Sequence, residues 1–266
     1  MLEIAENLDV TLIQTYLHWE DKSLNLKRME NHINSIKNST DIIILPEMFT
    51  TAFTMNNSLY EEMDGETIRW MQKMAKQTNA AVCGSIIVKE GANFYNRFIF
   101  AEPNNKIWYY NKHHTFRMAN EHQYYSSGKN KTIIEYRGWK ILPMICYDLR
   151  FPVWSRNKVV NNELEYDLII YVANWPERRN NAWKALLPAR AVENQSFVAA
   201  VNRIGMDGKG MNYTGDSGIW GVLGDNILPF TPEAEEVKSW VISLPWLKEF
   251  RKNFPVWMDA DEFELK

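Results

Sequence analysis

Three side chains of complementary chemistry each stand just past an apolar run in this sequence. Glu47 follows Ile42-Ile-Ile-Leu45 and Pro46, Lys112 follows the run ending at Tyr110, and Cys146 follows Ile141–Ile145. Asn174 and Trp175 follow a fourth run, ending at Ala173. A thiol attacks a carbonyl or nitrile carbon once it becomes a thiolate. A nearby carboxylate accepts its proton if burial raises the carboxylate pKa. A lysine stabilises the oxyanion that forms, assisted by a backbone N–H such as that of Tyr147. Glu47 and Cys146 would then titrate as a coupled pair, with Lys112 favouring their anionic forms.

Taken singly, each residue also has an ordinary reading. A cysteine ending an apolar strand is most often a small buried hydrophobe. Cys83, in Ala81-Val-Cys-Gly84, fits that description better than Cys146 does. A loop glutamate or turn lysine is usually just solvated. The neighbours His113 and His114 have no third metal ligand at a standard spacing. The five histidines all precede Cys146 and Ser217, which excludes papain-like and α/β-hydrolase orders. A caspase-like order, with His113 or His114 upstream of Cys146, stays open on the residues alone. Gly205-Met-Asp-Gly-Lys-Gly210 matches neither a P-loop nor a dinucleotide fingerprint.

The elements that must position these groups alternate along the chain. Strands are expected at Val10–Gln14, Ile42–Leu45, Ala80–Val88, Phe94–Ala101, Lys106–Tyr110, Thr132–Tyr136, Trp139–Ile145, Asp167–Ala173, Phe197–Arg203, Gly218–Leu223 and Val237–Leu244. Helices are expected at Lys22–Lys37, Thr67–Gln77, Val153–Val160 and Ala182–Asn194, the last kinked at Pro188. Residues 113–130 read as a long polar loop of the kind that often carries function. This pattern gives one α/β domain over residues 1–266 with mixed sheets. Ligands of open α/β sheets bind beyond the carboxyl ends of the strands, where all three reactive groups lie.

Composition narrows the partners. The 266 residues carry 30 Lys and Arg against 33 Asp and Glu, a net charge of −3 with no basic block. That argues against nucleic acid or an anionic membrane as the main partner. No apolar run approaches a membrane span, and the N-terminus lacks the pattern of a signal peptide. Two separated cysteines give no disulfide framework. The expectation is a soluble, cytoplasmic protein.

At its reactive residues the chain resembles the nitrilase superfamily of carbon–nitrogen hydrolases. Leu45-Pro-Glu-Met-Phe49 is similar to the segment around that family's catalytic glutamate. Tyr110-Asn-Lys-His-His-Thr-Phe116 is similar to its lysine segment, and Ile145-Cys-Tyr-Asp-Leu-Arg-Phe-Pro152 to its nucleophile segment. Trp183 through Arg190-Ala-Val-Glu-Asn-Gln195 and Asn202-Arg-Ile-Gly205 resemble later blocks in the same order. The resemblance implies a four-layer α-β-β-α sandwich that dimerises, and a site with no metal or organic cofactor. It implies Glu47 as general base, Lys112 as oxyanion stabiliser and Cys146 as nucleophile. It also implies Glu121, seven residues before Gly128, as a second glutamate that positions the lysine.

His114-Thr-Phe-Arg-Met-Ala-Asn-Glu-His122 and Tyr147-Asp-Leu-Arg-Phe-Pro152 most resemble the omega-amidase branch. Its members hydrolyse the terminal amide of 2-oxoglutaramate or 2-oxosuccinamate. The same scaffold also carries nitrilases, N-carbamoyl hydrolases and other aliphatic amidases, and a non-catalytic binding protein is a further reading. A carboxylate-bearing substrate calls for a cationic fork. Arg117 is the first candidate, with Arg150 and Arg178 as alternatives, and Tyr125 and Trp175 are candidate pocket walls. The tail Phe254–Phe263 either crosses a dimer interface or packs on its own subunit.

Overall fold

The computed structural model describes residues 5–264; residues 1–4, part of the acidic N-terminus, and residues 265–266 lie outside it. Strands are β1 (Asn7–Gln14), β2 (Ile42–Ile44), β3 (Ala81–Glu90), β4 (Asn93–Ala101), β5 (Ile107–Asn111), β6 (Ile134–Tyr136) and β7 (Trp139–Ile145). There follow β8 (Val159–Val160), β9 (Glu163–Leu164), β10 (Leu168–Ala173), β11 (Phe197–Asn202), β12 (Ile204–Met206), β13 (Asn212–Thr214), β14 (Gly218–Trp220) and β15 (Glu236–Ser243). Helices are α1 (Lys22–Asn34), α2 (Glu66–Thr78), α3 (Glu121–Tyr124), α4 (Pro152–Ser155), α5 (Asn180–Asn194) and α6 (Leu244–Asn253).

Two sheets face each other. The first has the order β15-β1-β2-β3-β4-β5 and the second β14-β11-β10-β7-β6. The central strands β1, β2 and β3 run parallel, as do β7, β10 and β11, and antiparallel strands flank both sets. Period-2 alternation explains why the sheets need covers on both faces. Ile42 and Ile44 point inward with Leu8, Val10 and Leu12 to meet Ile141 and Val172 of the second sheet. Ile43 and Ile13 point outward to Met29 and Ile33 of α1 and Met71 and Met74 of α2. Helix α5 buries Trp183, Leu187 and Ala191 on the second sheet. The result is the expected α-β-β-α sandwich.

Local chemistry sets the helix ends. Asp21 caps α1 by accepting from the Leu24 N–H at 2.9 Å, as N-caps do. Asn79 ends α2 in the left-handed region (φ 52°), which Asn tolerates. Helix α5 runs on through Pro188, where a kink is expected. An interior proline costs about 3 kcal/mol. The burial of Trp183 and Leu187, about 1.5–3 kcal/mol for each such apolar side chain, offsets that cost.

Two sequence expectations need correction. The helix expected at Val153–Val160 is only the turn Pro152–Ser155, followed by the small β8–β9 hairpin. Val159 and Val160 are exposed and β-branched, so nothing holds them helical. Helix α6 was not anticipated. It buries Leu244 and Leu247 and sends Arg251 to Asp167 at 2.7 Å, while Arg251 also donates to the Gln195 and Tyr166 carbonyls. Two tail carbonyls accept from the body of the chain: Gln195 Nε2 donates to Phe254 O at 2.8 Å and Lys158 Nζ to Phe263 O at 3.4 Å. No helix among the described residues is long and apolar enough to cross a membrane.

One glycine fixes the path of the long loop. Gly128 donates to Lys112 O at 2.8 Å, and a Cβ there would stand 2.1 Å from Asn111 O. Gly128→Ala is therefore expected to cost about 1–3 kcal/mol of stability, the usual penalty for overpacking. It also pushes the segment carrying Lys112 out of place. Urea unfolding checks the first effect; an unchanged midpoint overturns it.

Candidate active site

The reactive residues meet at the carboxyl ends of the parallel strands of both sheets. Glu47 arrives after β2 and Lys112 after β5, both from the first sheet; Cys146 follows β7 and Asn174 follows β10, both from the second. Glu121 opens α3 in the loop between them. Glu47, Lys112 and Glu121 are all buried, at 0%, 1% and 0% exposure.

Lys112 Nζ donates to Glu47 Oε1 at 2.9 Å and to Glu121 Oε1 and Oε2 at 3.1 and 3.0 Å. Burial by itself would drive this ammonium towards neutrality. The Glu121 and Glu47 carboxylates outweigh burial and hold its pKa above the ordinary lysine range. Burial, with Glu47 adding to it, pushes Glu121 up against the pull of Lys112. Glu121 also accepts from the Phe116 N–H, and its own N–H donates to Phe116 O, which locks the loop.

Cys146 sits at a sharp bend. Ile145 is extended, whereas Cys146 has φ 42°, in the left-handed region. That conformation costs a non-glycine residue on the order of 1–3 kcal/mol. Asp148 holds the bend by accepting from the Ile145 N–H at 3.1 Å. The bend turns Sγ off the strand into a pocket, 3.8 Å from Asn174 O. Burial, then Glu47, pushes the thiol well above its usual range, and Lys112 opposes them.

Two residues knit the segments together. Asn174 donates its N–H to Glu47 Oε2 at 2.8 Å and its Nδ2 to Glu47 O at 2.6 Å, a clamp across the two sheets. Asp148 accepts from Tyr110 OH at 2.9 Å and from the His114 N–H and ring Nδ1 at 2.9 and 2.8 Å. It thus ties the Cys146 turn to the lysine segment.

The pocket has a volume of about 300 Å³, with Lys112, Cys146 and Asn174 among its lining residues. Tyr147 and Trp175 line it as expected. Arg117 does not: its side chain is exposed, and the lining cations are Arg150, Arg178, Arg179 and Lys209. The turn Arg117–Ala119 presents Met118 and Ala119 to the pocket instead. Tyr125 is also displaced. It is core beside the site, donating its OH to Thr54 O at 2.9 Å beside Met48 and Ile87.

His113 and His114 do not line the pocket, which removes the caspase-like pairing. They stack on Trp154 and Phe151, with ring centroids 3.6 and 3.7 Å apart. Among the described residues no group of three or more His, Cys, Asp or Glu is placed to hold a metal ion. Sequence reasoning passed over Asn96, a polar residue in a strand of mostly aromatic and aliphatic side chains. It also passed over the Asp207–Tyr213 loop.

The arrangement can take a proton from a thiol, hold an oxyanion and exclude bulk water from both steps. Titrating the folded protein with a thiol reagent is expected to label Cys146 alone. Cys83, fully buried in β3, should react only after denaturation. Two fast thiols in the native state overturn this. Glu121→Gln removes a negative charge near Sγ, so the alkylation profile should move to lower pH.

Comparison with known proteins agrees with this geometry. The carbon–nitrogen hydrolase family profile matches residues 9–252. The chain is 43% identical to the omega-amidase YafV of Escherichia coli K12, over 97% of this chain and 98% of that one. It is 32% identical to the 2-oxoglutaramate amidase of Bacillus subtilis, over 94% and 96% of the two chains. A crystal structure of a superfamily member from Xanthomonas campestris, with an arsenic adduct in its active site, superposes with a TM-score of 0.96 at 39% identity, covering 98% of this chain and 100% of that one. With a profile matched across most of its length and relatives aligned almost end to end, the chain belongs to the carbon–nitrogen hydrolase family, within the nitrilase superfamily.

Proposed function

We propose that this chain is an omega-amidase that hydrolyses the terminal carboxamide of 2-oxoglutaramate or 2-oxosuccinamate to the dicarboxylate and ammonia. The observation that carries the substrate class is the charge of the pocket wall. Arg150, Arg178, Arg179 and Lys209 line the pocket that holds Cys146, and none of them has an ion-pair partner among the described residues. The one lining carboxylate, Asp207, is occupied by the N–H groups of Lys209 and Met211 and by Tyr213 OH, at 2.8–2.9 Å. A substrate with an anionic end opposite its amide fits that imbalance. The names borne by the Escherichia coli and Bacillus subtilis relatives support the same reading.

In this reading Glu47 takes the thiol proton and Cys146 Sγ attacks the amide carbon. Lys112 and the Tyr147 N–H hold the oxyanion, and Glu121 holds Lys112. The C–N bond breaks as Glu47 returns the proton to the nitrogen, which leaves as ammonia. A thioester remains. Glu47 then deprotonates a water, the water oxygen attacks the thioester carbon, and the C–S bond breaks as Glu47 returns that proton to Sγ, which releases the carboxylic acid and restores the thiol. Arg150 takes the substrate carboxylate. It lies in the same turn as Cys146, and its guanidinium is set 4.7 Å over the Trp175 ring. Residues 1–266 act as one hydrolase domain, because both sheets contribute to one core and one site.

The assembly is read as a homodimer or larger homo-oligomer. Val153, Val192 and Leu223, at 52%, 48% and 69% exposure on α4, α5 and the adjacent turn, support it. Two free thiols suit a cytoplasmic location.

The first experiment is ammonia release from 2-oxoglutaramate by wild type and Cys146→Ala. The variant is expected to lose at least about 10⁴-fold in kcat while keeping the wild-type circular dichroism. Residual turnover near wild type overturns the nucleophile, and no turnover by wild type overturns the substrate. Arg150→Ala should raise KM about tenfold or more, the loss of a charge-assisted hydrogen bond, whereas Arg117→Ala should leave KM within about twofold, as for a surface charge.

A further inference from the structure

Lys112 has three N–H groups, and all its close contacts are carboxylate oxygens: Glu47 Oε1, Glu121 Oε1 and Glu121 Oε2, at 2.9, 3.1 and 3.0 Å. To hold an oxyanion it must turn one N–H away from a carboxylate. That step would leave two buried carboxylates underserved, and two like charges in a dry site raise each other's proton affinity.

A second donor stands opposite the ammonium. Asn96, 1% exposed in β4, places Nδ2 at 2.8 Å from Glu47 Oε1 and 3.4 Å from Glu121 Oε1. The same two oxygens therefore accept from both Lys112 and Asn96, and the four atoms form a closed ring of alternating donors and acceptors. The Asn96 backbone carbonyl also accepts the Lys112 N–H at 2.9 Å. Its Oδ1 is buried with no partner. A flipped amide would set that oxygen against two carboxylates, so the carboxylates themselves fix its orientation. The next residue, Arg97, bonds Asn111 and Glu90 instead, which leaves Asn96 alone in β4 to serve the site.

We infer that Asn96 is a positioning residue that keeps Glu47 and Glu121 ionised while Lys112 turns one N–H to the substrate oxygen. This rests on the proposed amidase reading and extends it to a residue with no assigned part. A neutral amide suits the task. It supplies two donors without a charge of its own, so Lys112 stays available to the oxyanion. The titratable groups facing the two carboxylates are Lys112, Cys146 and, beside Glu121, Tyr125. None of these is altered by substitution at Asn96.

The test is the pH dependence of kcat/KM for 2-oxoglutaramate in wild type, Asn96→Ala and the near-isosteric, uncharged Asn96→Leu. Loss of a hydrogen bond to the ionised form raises a carboxylate pKa. The acid limb of Asn96→Ala is expected to move up by about one pH unit, with kcat down about tenfold or more and KM within about threefold. Asn96→Leu keeps the volume, adds no charge and lacks the amide donors, so it should show the same direction of shift even if the Ala variant fails to fold. An unmoved acid limb in the folded variants, whatever the fall in kcat, overturns the inference and leaves Asn96 as packing. The alkylation rate of Cys146 by iodoacetamide is followed across the same pH range and needs no substrate. Less ionised carboxylates put less negative charge beside Sγ, so its profile should move to lower pH in the variants, as in Glu121→Gln. If wild type does not turn over the keto-amide, the substrate reading fails, while the alkylation profile still decides the part played by Asn96.

Discussion

Two carboxylates sharing one ammonium in a dry site is the constraint around which this molecule is arranged. Glu47, Glu121 and Lys112 are removed from water, and desolvation costs each of them several kcal/mol. Losing one member would leave an uncompensated buried charge, a penalty of about 3–5 kcal/mol. The cluster therefore needs a full set of partners, and these come from Asn96, the Asn174 backbone and the Phe116 N–H. The same low dielectric that makes the cluster expensive makes it effective. A lysine held cationic beside a thiol and a carboxylate is set up for charge that develops during acyl transfer.

The sandwich exists in a form that serves this cluster. One sheet carries Glu47 and Lys112 and the other carries Cys146 and Asn174, so neither sheet alone holds a site. At the site the bonds that join them include the Asn174 clamp on Glu47 and the Asp148 bridge to Tyr110 and His114. These polar contacts sit at the rim of an apolar inter-sheet core. Core packing sets the separation of the sheets, and the rim sets the register of the reacting groups. The left-handed bend at Cys146 is one local expense of that arrangement, held in place by Asp148.

Selectivity belongs to a different layer of the structure. The pocket wall is assembled largely from turns after the strands: Phe116–Ala119, Cys146–Arg150, Trp175–Arg179 and Asp207–Tyr213. Arg179 crosses between two of them, its guanidinium 4.9 Å from the Phe116 ring. Such loops change without disturbing the sheets, which is why one scaffold serves many carbon–nitrogen substrates. Here the loops leave an excess of positive charge facing the thiol.

The sequence alone determined the α/β class, the strand ends and the place of a carboxylate, an ammonium and a thiol just past three of them. The reason is that period-2 apolar runs are local, and a reactive residue just past such a run is visible from its neighbours. Resemblance added Glu121 and the sandwich. What only the tertiary structure decided was which polar groups meet. Asn174 bonds Glu47 across 127 residues, a contact that no periodicity encodes. Arg117 shares a loop with Lys112 and Glu121, yet a turn of three residues points it to solvent and gives the wall to Met118 and Ala119. Tyr125 is turned into the core by its bond to Thr54. The direction of a side chain in an irregular loop depends on the body it packs against, and that body is assembled only when the two sheets close.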